Sequence, residues 1–156
     1  MISVEVRVEP DITNALRETI NSNTGQFNSK VQRKLSQLGS RLLEELRKEP
    51  GPPKYPLRWA SAKQRRFVMA KLRRENNLPY TRTHALVRGY RVVLDVKDDG
   101  GVFLVENESA VARYVVGDDQ QPFHIDTGWR GLADIVTTFE DDAQDELIDT
   151  WYEVTT

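Results

Sequence analysis

A chain of 156 residues, 38% hydrophobic and 29% charged with a net charge of −2, is long enough for one domain with a real core and short for two. No window approaches the roughly 18–20 apolar residues of a membrane span, and the charged start MISVEVRVEP lacks the apolar block of a signal peptide. The absence of cysteine excludes disulfides, thiolate zinc sites and cysteine nucleophiles.

In chain order, residues 2–9 alternate strictly, Val4, Val6 and Val8 against Glu5, Arg7 and Glu9, which predicts a half-buried strand ended by Pro10. Asp11 or Thr13 can cap a helix whose apolar stripe runs through Ile12, Leu16, Ile20, Phe27, Val31, Leu35, Leu38, Leu42 and Leu46. The stripe keeps its phase across Asn21–Gln26, so one long helix to about Lys48 is expected, with a kink plausible at Gly25. Glu49-Pro-Gly-Pro-Pro-Lys-Tyr-Pro56 cannot be helical and predicts an exposed, extended arm, taken as 49–60 within a single domain spanning 1–156. A second helix follows Ser61, which with Gln64 forms a capping-box pattern; it is expected to run to about Asn76 with Phe67, Val68 and Leu72 inward.

The loop Leu78–Arg82 leads to a helical turn at Thr83–Arg88. Tyr90–Val96 and Val102–Val105 then predict a hairpin through Asp98-Asp99-Gly100-Gly101, where glycines supply the positive φ of a tight turn. Ser109–Val116 is ambiguous between helix and strand, and Gly117–Thr127 is expected as a polar loop. Leu132, Ile135, Val136, Phe139, Ala143, Leu147 and Trp151 define a final acidic helix. The order β-α-α-β-β-α is an α+β domain: a small antiparallel sheet with a long N-terminal helix, a basic middle helix and an acidic C-terminal helix, the helices covering one face.

The near-neutral total hides a sorting of charge. Residues 54–91 hold eleven Lys/Arg against Glu75 alone, a net +10, and residues 95–156 hold sixteen Asp/Glu against Lys97, Arg113 and Arg130, a net −13. Such a chain can bind a polyanion, fold its halves together, or meet copies of itself. Lys63, Arg66, Arg73 and Arg74, with Arg82 nearby, suit salt-sensitive nucleic-acid binding. The acidic C-terminal helix is an equally good partner. No phosphate loop, nucleophile elbow or metal-helix motif is present. His124 with Asp126, or His84 with Arg82 and Arg88, suggests a nuclease-like site, but a His satisfied by backbone in a turn is the simpler reading. Asp118-Asp119 and Asp141-Asp142 are read as solvated faces rather than cation ligands. Trp59, Tyr80 and Trp129 sit beside turns, as loop anchors or interface residues.

The order Tyr55-Pro56-Leu57-Arg58-Trp59-Ala60-Ser61-Ala62-Lys63-Gln64-Arg65-Arg66, then Leu78-Pro79-Tyr80-Thr81-Arg82-Thr83 and Leu86, is distinctive. It continues with Val105-Glu106-Asn107, Tyr114-Val115-Val116-Gly117, Gln121, His124 and Thr127-Gly128-Trp129. This resembles the tail-completion or neck proteins of tailed bacteriophages and prophages, similar to the lambda-type minor tail protein Z family, over about residues 50–135. One departure is His84, where a small residue, usually Gly, is expected after Arg-Thr. The resemblance implies a non-enzymatic virion protein without cofactor, assembled in the host cytoplasm into a ring at the head–tail joint. Six-fold symmetry, contact with neighbouring neck and tail-tube proteins and contact with DNA in the lumen are further implications. The residues it implicates are Trp59, Lys63, Gln64, Arg65, Pro79, Tyr80, Arg82, Thr83, Gln121, His124 and Trp129; Tyr55, Arg66, Arg73 and Arg74 join them as interface candidates. A ring needs two different patches on each subunit, which a basic middle and an acidic tail supply, and the arm can lie across a neighbour at little entropic cost. The alternative is a basic-helix nucleic-acid module used in DNA packaging; a weaker one is a small nuclease or toxin centred on His124.

Overall fold

Alternation in three seven-residue segments builds a three-stranded antiparallel sheet: β1 (Ile2–Val8), β2 (Tyr90–Val96) and β3 (Gly101–Asn107), in the order β1-β3-β2. The computed structural model describes residues 1–8, 24–51, 58–76, 84–96 and 101–155, with only the backbone at 24–28 and 154–155. The helices are α1 (Thr24–Leu46), α2 (Ala62–Arg74), α3 (Ala85–Arg88), α4 (Ala112–Val115), α5 (Pro122–Asp126) and α6 (Leu132–Thr155).

Register follows from the two-residue period. Val6 sits opposite Phe103, which sits opposite Leu94; Ile2, Asn107 and Tyr90 form another row. Val6, Val8, Phe103, Val105 and Tyr90 are buried, while Glu5, Arg7, Arg91 and Val93 face the other way and are exposed. The helices therefore cover one face, α1 packing on β2 and α6, and α6 reaching β1. Val31, Leu35, Leu38, Leu42 and Leu46 of α1 meet the apolar side of α6, where all seven residues of the predicted stripe are buried. Full burial of each Leu contributes about 1.5–3 kcal/mol. Phe103 meets Phe139 edge-on at 5.5 Å. A Cβ at Gly39 would stand 3.2 Å from the Phe103 ring, so the glycine lets α1 lie close on the sheet.

The expected start of the first helix lies outside the described residues, as does the hairpin turn at 97–100. The hairpin strands pair as expected, with β3 longer at both ends. Ser109–Val116 resolves as the helical turn α4. Two expectations need correction. Gly117–Thr127 is not all loop, because α5 lies inside it: Pro122 occupies its first turn, where a missing N–H costs nothing, and Gly128 follows its end at φ 88°. Phe67 is not inward but 67% exposed. The half-buried residues of α2 are Gln64, Val68 and Leu72, one residue every turn, with Met69 beside them, and Phe67 lies about 100° around the helix from Val68. No residue of α2 is buried. Its N-cap forms as predicted: Ser61 Oγ accepts the Gln64 N–H at 3.0 Å. Gln64 Oε1 reaches back to the N–H of Ala60, 2.8 Å away.

Candidate assembly surface

Two sets of predicted site residues separate in space: one knits the chain to itself, the other faces solvent. The first forms where the segment before α2 docks on α5. Trp59 stacks on Phe123 with ring centroids 4.7 Å apart and an interplanar angle of 31°. Gln64 Nε2 donates to Gln121 Oε1. Arg58 binds Asp126 with both guanidinium and backbone. The hydrogen bond from Arg58 holds the Asp126 carboxyl below its usual value and raises Arg58 in return. The His124 ring lies edge-on to Phe123 at 5.0 Å, and burial lowers its pKa. Trp129 returns through its N–H to His124 O at 3.0 Å, and Gln120 Nε2 holds the carbonyls of Val115 and Trp129 at 2.8 and 2.9 Å. Trp59, Gln64, Gln121, His124 and Trp129, scattered over 70 positions of sequence, thus converge on one half-buried junction.

The arm is also tied at its root. His84 Nδ1 lies 2.5 Å from Glu49 Oε1, and a Cβ on Gly128 would stand 3.1 Å from Pro50 Cβ. Glu49 and Pro50 are accordingly half-buried, which corrects the expectation of exposure from residue 49; residues 52–57 lie outside the described residues. His84 is satisfied by a carboxylate, where a backbone partner was expected. Tyr55, Pro79, Tyr80, Arg82 and Thr83 also lie outside the described residues.

The second set is the solvent side of α2. Lys63, Arg65, Arg66, Arg73 and Arg74 are all exposed. The ion pair seen within this helix region, Lys71–Glu75 at 3.9 Å, is at the edge of contact. A shallow groove on the same helix is lined, among the described residues, by Ala62, Arg65, Arg66, Met69, Ala70 and Arg73.

Acidic residues crowd α6. Asp134, Asp141, Asp142, Asp145 and Asp149 are exposed along α6. Glu146 differs: burial pushes its carboxyl up, and hydrogen bonds and charge from Lys34 and Arg41 of α1 bring it below its usual value. Lys34 Nζ stands 2.6 Å away and Arg41 Nη1 completes the cluster. Among the described residues no ion pair joins α2 to α6. Elsewhere Arg113 engages Asp119, Arg91 engages Glu108, and Arg130 reaches Glu45 at 3.2 Å.

Asp126 is occupied by Arg58, so it does not orient His124 as an acid/base pair requires. No group of three or more His, Asp or Glu side chains among the described residues is placed to hold a metal ion, and no described helix is long and apolar enough to cross a membrane. The described residues present cations along α2 and carboxylates along α6, with no ion pair between the two helices. The residues missed by sequence reasoning are Phe123, Asp126 and Glu49 as docking partners; the Pro122 and Gly128 signals bounding α5 were the available clue. No protein-family profile, curated protein or solved structure matches this chain.

Proposed function

We propose that this chain is a non-catalytic structural subunit that works as a ring of identical copies, in the neck or tail-completion position of a tailed-phage particle. The observation that carries the assembly reading is α2. A 13-residue helix without one buried residue is marginal by its own contacts, since isolated helices shorter than about 12–15 residues barely hold in water. It displays Phe67 and six cations to solvent, with Met69 half-buried, and cover from another surface would stabilise it. The place in the particle rests on the resemblance carried by Tyr55–Arg66, Leu78–Thr83 and the Gln121–Trp129 region. Six-fold symmetry and the neighbouring neck and tail-tube proteins belong to that same resemblance.

Electron microscopy of intact particles carrying a labelled copy of this chain tests the reading. Ring-shaped density at the head–tail joint is the expected result; particles without the chain overturn it. The exposed cations Lys63, Arg65, Arg66, Arg73 and Arg74 of α2 also favour a second reading, a nucleic-acid module for DNA packaging. Titration with duplex DNA separates the two, because neutralising about five phosphates makes log K fall with log salt at a slope of roughly −4 to −5.

A further inference from the structure

The solvent side of α2 is structured rather than uniformly cationic. Ala62, Arg65, Arg66, Met69, Ala70 and Arg73 fall at i, i+3, i+4, i+7, i+8 and i+11, a single stripe. The two alanines leave room for close approach of another backbone, half-buried Met69 offers a deformable apolar floor, and the exposed arginines form the sides. Arg66 and Arg73 are one heptad apart, about 10.5 Å along the axis at 1.5 Å per residue. On α6 the exposed face repeats that step: Asp134 and Asp141 are also one heptad apart, with Thr138 between them and Asp145 one turn further. These aspartates and the groove arginines make no ion pair with one another among the described residues.

We propose that the groove of α2 receives the acidic face of α6 from a second copy of this chain, the helices antiparallel, with Arg66 against Asp141 and Arg73 against Asp134. The proposal rests on the ring reading and names its interface. Antiparallel placement sets Asp134, in the first turn of α6, beside the C-terminal end of α2, and it brings Asp145 next to Ala62 and Arg65. It also lays Thr138 over Met69. The two patches differ, so the contact is heterologous and propagates from copy to copy until the ring closes. The partner is argued from charge and spacing together: an acidic helix with the same seven-residue step exists on the chain itself, and Arg66, Arg73, Asp134 and Asp141 are all exposed.

Two double variants test it. Arg66→Glu with Arg73→Glu places carboxylates against carboxylates, and Asp134→Lys with Asp141→Lys places cations against cations. Each alone is expected to lose self-association by roughly tenfold or more. An equimolar mixture is expected to regain it, because in alternating order each interface is again attractive. Circular dichroism and a cooperative melt verify that both variants fold. As a geometric readout, Ala70→Cys and Thr138→Cys chains joined by a short bis-maleimide should give a mixed dimer in excess of either homodimer; the chain has no cysteine of its own. Variants that associate like the wild type, or a mixture of folded variants that does not recover, overturn the proposal, as does a wild-type chain monomeric to millimolar concentration at low salt. Loss of duplex-DNA binding in the arginine variant with self-association unchanged assigns the groove to nucleic acid instead. Recovery in the mixture without ring density at the head–tail joint upholds the pairing and overturns the particle reading; ring density with α2 facing away does the reverse.

Discussion

Asp126 is held by Arg58 at four points: Nε at 2.9 and 3.0 Å from its two oxygens, Nη2 at 2.8 Å, and the Arg58 backbone N–H at 2.7 Å. Because the backbone takes part, the bond fixes the chain entering α2 and not merely a side chain. It sets Trp59 on Phe123 and brings Gln64 to Gln121.

Asp126→Asn removes the charge from this clamp. Trp59 should become more accessible to acrylamide quenching, while the global melting temperature falls by only a few degrees, since the clamp lies outside the main core. Acid acts in the same direction. The Asp126 carboxyl is held below its usual 3.8 by the hydrogen bond from Arg58. The clamp's contribution is therefore fully present above that value and is lost as pH falls through the lowered, folded-state value.

His124 supplies a pH dependence at a milder range. Burial lowers its pKa below the ordinary 6.5, so the folded chain favours the neutral ring. Its contribution is present above 6.5 and is lost as pH falls through the depressed folded-state value. His124→Gln should flatten the decline in melting temperature between about pH 7 and pH 5 relative to the wild type.

His84 occupies the left-handed region at φ 58°, ψ 8°. Glycine, the residue the resemblance leads one to expect here, adopts that conformation without strain. Both His84→Gly and His84→Ala lose the Glu49 pair, so their difference isolates the backbone. Chemical denaturation should find the glycine variant more stable than the alanine variant by about 1 kcal/mol.

Asn107 is fully buried at the end of β3. Its Nδ2 donates to Leu86 O at 2.9 Å and its Oδ1 accepts the Ser109 N–H at 2.8 Å. Asn107→Ala strands both backbone groups and should cost about 2–4 kcal/mol in denaturant unfolding. Beside it, burial pushes the Tyr90 phenol up to about 12. Ultraviolet titration should find this tyrosine ionising well above the ordinary 10.0 in the wild type, and higher still in the Asn107 variant, which loses the hydrogen bond from Asn107 that lowers it.

The α+β plan was legible in the sequence because its elements advertise themselves by period: two in β1, three and four in α1 and α6. The stripe of α6 named every residue that is buried along it up to Trp151. Short elements were harder. In α5, five residues between Gln121 and Thr127 carry too little periodicity to rise above a polar composition, and only Pro122 and Gly128 mark it. Phe67 misled for the opposite reason, since its hydrophobicity argued for burial although the half-buried side of α2 is Gln64, Val68, Met69 and Leu72.

Charge sorting, the N-cap at Ser61 and the candidate residues were properties of the chain written out in a line. Which of those residues face inward was not. Trp59 and Phe123 are 64 positions apart, and Arg58 and Asp126 are 68, so their meeting depends on how the segment before α2 returns to α5. Tertiary structure alone decided that Gln64, Gln121 and His124 join an internal junction while Arg66 and Arg73 remain on the surface. Local pattern encodes which face of an element is apolar, but burial of a polar side chain is set by what distant segment arrives to bond it.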